Sequence, residues 1–98
     1  MFAWDDIRLF LALYRERTTG RAAADVGTSQ PTVVRRLAAL EEAIGLSLFE
    51  RHSGGLTPTK AADGLYAAAE RVERGICEFA AEVDSDRKST RLNSSHNA

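Results

Sequence analysis

The stretch from Thr28 to Gly45 constrains this chain more than any other. Thr28 or Ser29 offers a side-chain oxygen to the free N–H groups of a first helical turn, and Pro31 stands where that turn needs no donor. Val33, Leu37, Leu40 and Ile44 then step by four, three and four before Gly45 supplies a stop. A helix over 29–44 with this one apolar stripe must be covered along it by neighbouring elements, while Thr32, Arg35, Arg36 and Ala39 share the opposite, solvent-ready face. The neighbours are at hand. Ile7, Phe10, Leu11 and Tyr14 recur at helical spacing behind Asp5 or Asp6 and predict a first helix running to about Glu16. An alanine-rich stretch from Arg21 to Val26, closed by Gly27, predicts a second helix of two turns.

After Gly45 the period changes. Leu46, Leu48 and Phe49 lead into Glu50, the turn residues Ser53-Gly54-Gly55 and the run Leu56-Thr57-Pro58, which together predict a small β-hairpin. The expected fold is therefore mainly α: a winged helix-turn-helix over residues 1–58, with a three-helix core and the hairpin as wing, followed by a long linker helix over 59–84. On that last helix Leu65, Ala69, Val72, Ile76, Phe79 and Val83 form a heptad seam. No other long helix is available to cover it, so self-association as a homodimer is favoured. The alternative, a stripe lying back on the first three helices, can hold at one end while the other end pairs. Gly64 and Gly75 each weaken the helix by roughly 1 kcal/mol relative to alanine. Residues 85–98 carry no periodicity and only Leu92 as an apolar side chain larger than alanine, so a disordered tail is expected. Its run from Asp86 to His96 resembles an in-frame translation of a sequencing-library adapter, which reads as non-native, with the natural chain continuing differently beyond about Ser85.

Composition narrows the function. Ninety-eight residues suffice for one small domain and exclude a two-domain enzyme. Cys77 has no partner for an internal disulfide, and with only His52 and His96 it builds no zinc site of ordinary spacing, so no metal or cofactor is expected. Inside the linker helix but off its seam, Cys77 reads as a small packing residue. The longest apolar run, Leu9 to Leu13, is too short for a membrane, and the start shows no export signal, which points to the cytoplasm. No nucleophile elbow, phosphate loop or spaced carboxylate pair suggests catalysis. A formal net charge of −1 hides an uneven distribution. From Arg15 to Arg36, arginines 15, 17, 21, 35 and 36 stand against only Glu16 and Asp25, whereas acids outnumber bases from Glu41 to Asp84.

A helix-turn-helix with a basic region from Arg15 to Arg36 can read double-stranded DNA from the start of its third helix. Gln30 can pair bidentately with adenine and Arg35 with guanine, and Pro31 and Thr32 can meet a thymine methyl. Ser29 and the free N–H groups beside it suit a phosphate oxygen, as do Arg36 and Arg51. Trp4, Phe10, Tyr14 and Phe49 share faces with aliphatic residues and are expected in the core.

The run Arg21-Ala22-Ala23-Ala24-Asp25-Val26-Gly27-Thr28-Ser29-Gln30-Pro31-Thr32-Val33-Val34-Arg35-Arg36-Leu37, continued by Leu40-Glu41-Glu42, Ile44-Gly45, Leu48-Phe49-Glu50-Arg51 and Leu56-Thr57-Pro58-Thr59, resembles the N-terminal domain of LysR-type transcriptional regulators. The resemblance spans residues 4 to about 83. It implies a winged helix-turn-helix whose linker helix pairs with its copy, and sequence-specific DNA binding by a bacterial transcription regulator. By position it sets Thr18 where the family often has a phosphate-contacting serine. Ser29, Gln30, Pro31 and Arg35 fall in the recognition helix, and Arg51 at the start of the wing. Val34, Ser53-Gly54-Gly55 and Ala62 depart from the family pattern and leave the target sequence open. The resemblance further implies a homodimer, with a tetramer open for the full-length protein, and a small-molecule effector bound only through a C-terminal domain outside this chain. The competing reading is a winged-helix module for protein association, without DNA binding.

Overall fold

A computed structural model of the chain describes the backbone of residues 3–92 and the side chains up to residue 87. Six elements follow in order: α1 (Trp4–Glu16), α2 (Thr19–Val26), α3 (Gln30–Ile44), β1 (Phe49–His52), β2 (Gly55–Pro58) and α4 (Lys60–Leu92). α1 is the centre of the head. Its residues Leu9 to Leu13 are all buried, more than a single amphipathic stripe provides, because α2 and α3 cover one side and α4 the other. Leu9, Leu11 and Leu13 join Val33 and Leu48 as the largest fully enclosed side chains, and no polar side chain is buried among the described residues. Phe10 and Phe49 lie in this core with ring centroids 5.8 Å apart.

The helix ends show the local chemistry. Ser29 is the N-cap of α3, and Gly45 closes it at φ +82°. Thr18 caps α2 by accepting from the Arg21 N–H at 3.1 Å, so that helix begins at Thr19, two residues before the alanine run alone indicates. Neither Asp5 nor Asp6 stands outside α1 as its cap. Ala3 holds that place, and Asp6 reaches back from the first turn to accept the Ala3 N–H at 2.9 Å.

β1 and β2 pair antiparallel, Phe49 opposite Pro58 and His52 opposite Gly55. Three tethers fix this hairpin. The Glu41 carboxylate accepts the N–H groups of Leu48 at 2.7 Å and Phe49 at 3.2 Å. Thr59 donates its hydroxyl to the Ser47 carbonyl at 2.6 Å and also caps the first turn of α4. On the far side the Leu56 N–H donates to the Arg17 carbonyl at 2.7 Å, joining the wing to the turn between α1 and α2.

α4 carries the molecule to a length of 61 Å. Its apolar seam divides into a buried part and an exposed part. Ala62 and Ala69 are buried against the head, and Leu65 and Val72 border an apolar cleft with Ile7, Phe10, Leu40 and Ile44. Beyond the head Ile76, Phe79 and Val83 are exposed, Phe79 at 70%. Cys77 is exposed rather than packed. The helix also continues to Leu92 instead of ending near Asp84, which departs from the unstructured tail expected from residue 85. Extending an existing helix costs far less than starting one, and Arg87 pairs with Asp84 one turn back at 2.7 Å. The expectation for 93–98 lies outside the described residues.

Candidate nucleic-acid interface

The start of α3 presents an ordered polar face. The Ser29 hydroxyl donates to Thr32 Oγ1 at 2.9 Å, and Arg35 Nη2 reaches the same oxygen at 3.3 Å, so three side chains one turn apart form a line. Ser29, Gln30, Pro31 and Arg35 are exposed, and Thr32 is half-buried. Gln30 turns toward α2 and donates from Nε2 to Thr19 Oγ1 at 2.7 Å.

Between the N-terminus of α2 and the wing lies a polar trough. Thr18, Thr19, Gly20, Arg21 and Gln30 form one wall and Arg51 to Leu56 the other. No carboxylate lines it, while Arg21, Arg51 and the positive end of the α2 dipole face into it. Three sequence-expected residues, Thr18, Gln30 and Arg51, thus meet in one place. Thr19, Arg21 and His52 join them without having been singled out for it. The signal for Thr19 was its position beside the Thr18 cap. His52 is ordered within the wing: its Nδ1 accepts the Gly54 N–H at 3.1 Å, which leaves Nε2 to donate to Thr57 Oγ1 at 2.8 Å.

The remaining arginines are engaged elsewhere. Arg36 lies outside the trough and pairs with Asp6 at 3.7 Å. Arg17 donates to the Tyr14 carbonyl at 2.6 Å and stacks its guanidinium over the Tyr14 ring. Arg15 forms a bidentate pair with Glu73 at 2.8 and 3.1 Å and also reaches the Tyr66 hydroxyl at 3.1 Å. These bonds hold Glu73 below its ordinary carboxylate value and raise Arg15 further above its own. Tyr14 stacks on Tyr66 at 4.0 Å and donates to Asp63 at 2.6 Å. That hydrogen bond to a carboxylate raises the phenol above its ordinary value. Arg15, Tyr14, Tyr66, Asp63 and Glu73 therefore form a clasp that fixes α4 on α1, and of the five arginines between 15 and 36 only Arg21 and Arg35 remain turned outward, supplemented by Arg51.

Residues 4–63 match the family model described as bacterial regulatory helix-turn-helix protein, lysR family. The chain is 40% identical over 72 residues to the HTH-type transcriptional regulator CbbR of Xanthobacter flavus, covering 74% of this chain and 22% of that protein. It is 38% identical over 82 residues to the transcriptional activator protein LysR of Escherichia coli strain K12, covering 84% of this chain and 26% of that protein. The chain thus spans about a quarter of the length of these relatives. Among solved structures, the BenM_DBD/catB site 1 DNA complex shares its fold at a TM-score of 0.82 and 23% identity, over 88% of this chain and 97% of that one. The CbnR_DBD-DNA complex matches at a TM-score of 0.72 and 26% identity, over 92% and 99%.

Proposed function

This chain belongs to the LysR family of bacterial regulatory helix-turn-helix proteins, and on that premise we propose that it is the double-stranded DNA-reading part of a transcription regulator. The observation that carries the reading is the carboxylate-free trough, where Arg21 and Arg51 flank the start of α2 beside the exposed start of α3. A phosphate of one strand lies there, on Thr18, the free N–H groups of α2 and the two guanidinium groups. With the backbone so held, α3 enters the major groove and offers Ser29, Gln30, Pro31, Thr32 and Arg35 to base edges. Arg36, already paired with Asp6, adds less to the phosphate field than Arg51 does. Such a reader performs no catalysis, in keeping with relatives that are transcription regulators.

The exposed Ile76, Phe79 and Val83 support pairing of two α4 helices. A homodimer of this kind sets two α3 helices into major grooves about 34 Å apart, or a multiple of that, on a site of approximate twofold symmetry. Effector sensing, and any tetramer, we assign to a C-terminal part outside this chain, which spans 22% of CbbR. A reader of bacterial DNA acts in the cytoplasm; no helix among the described residues is long and apolar enough to cross a membrane.

Binding to random and selected duplexes across a salt series tests this. DNA reading requires log affinity to fall steeply with log salt, and a pure association module shows dimers without that dependence. Gln30→Ala or Arg35→Ala should lower affinity for the selected site by about 1–3 kcal/mol per lost base contact with the melting temperature unchanged. Unaltered binding in both variants would place the reading face elsewhere.

A further inference from the structure

Gln30 is the first residue of α3 and is exposed, yet its side chain does not sweep solvent. Its amide nitrogen is bound at 2.7 Å to the hydroxyl of Thr19, a residue of a different helix eleven positions earlier. Gly20, next to Thr19, lies beside the amide, where a Cβ would make only ordinary van der Waals contact with Gln30 Oε1 at 3.8 Å. We infer that Thr19 is a positioning residue for sequence recognition, acting through Gln30 to fix which end of its amide faces the base. The inference rests on the DNA reading proposed above.

A primary amide can read adenine only in one sense. Oε1 must accept from the base N6 amino group while Nε2 donates to N7, and a half-turn about the last side-chain bond exchanges the two and destroys the match. Nε2 has two protons. Thr19 takes one and leaves the other free for N7, with Oε1 uncommitted, so the anchored amide keeps both groups that adenine requires. The same bond removes rotamer freedom from a long, flexible side chain before DNA arrives, so less is lost on binding. A second anchored reader stands beside it, since Ser29 and Thr32 hold Arg35. The reading face is thus oriented by hydrogen bonds within the protein.

The test compares the wild-type chain with Thr19→Val, which keeps shape and removes the acceptor, Thr19→Ser, which restores it, Gln30→Ala, and the Thr19→Val/Gln30→Ala pair. Binding sites are selected from random duplexes for each. Gln30→Ala defines the base position that Gln30 reads. Thr19→Val is expected to lose roughly ten-fold discrimination at that position alone, with the salt dependence unchanged. Thr19→Ser should retain the discrimination, and Thr19→Val should add nothing in the Gln30→Ala background. Before DNA is added, the Gln30 side-chain amide proton signals should be displaced from solvent-exposed values in the wild type and in Thr19→Ser, and should return to them in Thr19→Val. A Thr19→Val protein with wild-type preference, with uniformly weaker binding to all sequences, or with an effect that persists without Gln30 overturns the role of Thr19 while leaving DNA reading intact. A Gln30→Ala protein without loss of preference overturns it as well. A wild-type chain with neither sequence preference nor salt-dependent affinity removes both proposals.

Discussion

Substituting Gly55 by alanine tests how the wing is held. Gly55 has φ +132°, and a Cβ placed on it lies 2.4 Å from the Arg17 carbonyl oxygen and 3.3 Å from a Thr18 methyl. Ordinary contact begins near 3.4 Å, so the strand must retreat by about 1 Å, which stretches the 2.7 Å bond from the Leu56 N–H to that carbonyl beyond hydrogen-bonding range. Arg17 has little room to yield, because it is itself left-handed at φ 65° with its guanidinium bonded to the Tyr14 carbonyl. A side chain at this φ costs about 1–3 kcal/mol. Leaving a buried N–H unpaired costs a similar amount, and Leu56 is 5% exposed. Partial retreat of the wing relieves some of both, so about 3 kcal/mol is expected, a large share of the stability of a small domain. The melting temperature should fall by roughly 12 °C or more. Gly54→Ala is the matched control: its Cβ meets only the His52 ring at 3.4 Å and its φ is not positive, so it should stay close to wild type. Thermal melts of both variants, with hydrogen exchange at the Leu56 amide, give the answer. A Gly55→Ala protein melting within about 3 °C of wild type, with that amide still protected, would refute the account of the wing.

The clasp between α1 and α4 makes stability depend on pH in two separate ranges. Glu73 is held below its ordinary value, so its contribution is complete above about pH 4.5 and disappears as pH falls through the lower folded value. Tyr14 is held above its ordinary value, so its contribution is complete below about pH 10 and disappears as the phenol ionises at higher pH. Denaturant titrations should show Glu73→Gln flattening the acid limb and Tyr14→Phe the alkaline one; identical profiles in wild type and variants would mean the clasp is idle in solution. Farther along α4, charged residues in place of Val72, at the edge of the head cleft, and Ile76, beyond it, should convert a dimer to a monomer by mass measurement. Phe79→Glu should do the same without lowering the monomer's melting temperature, since Phe79 is 70% exposed. Retention of the dimer in both would mean the seam is not the interface.

The fold was largely legible because its signals are local. Periodicity indicated α1, α3 and α4, the alanine-rich stretch indicated α2, Gly27 and Gly45 marked the stops, and the change of period after Gly45 marked the hairpin. Errors fell where a neighbour outside the window decides the outcome. α2 starts at its Thr18 cap instead of at its first alanines, and α1 is buried beyond one stripe because α4 packs on its second side. The proposed readers Ser29, Gln30, Thr32 and Arg35 could be chosen because they share the start of one helix. Their supports could not. Thr19 meets Gln30 across a turn, Arg15 meets Glu73 across 58 positions, and Arg17 receives the wing through a backbone carbonyl that has no side-chain signature.

Charge illustrates the same division between local and distant information. A chain of net charge −1 is a poor candidate for binding a polyanion if its charges are summed, and a cluster of five arginines is a good one if they are counted. Neither count matches the structure. Arg15 and Arg36 are paired with carboxylates, and Arg17 rests on Tyr14, so these three hold the head together. Arg21 and Arg51 flank a trough that no carboxylate lines, and Arg35 stands on the exposed start of α3. Seven of the fourteen acids lie on α4, where Glu70 and Glu73 face Arg15, Asp63 accepts from Tyr14 and Asp84 pairs with Arg87. The proposed reading face keeps free arginines on a negative protein because the fold commits the other arginines to internal partners, and removing Arg21 or Arg51 should therefore weaken DNA binding more than removing Arg15 or Arg36, although all four carry the same charge.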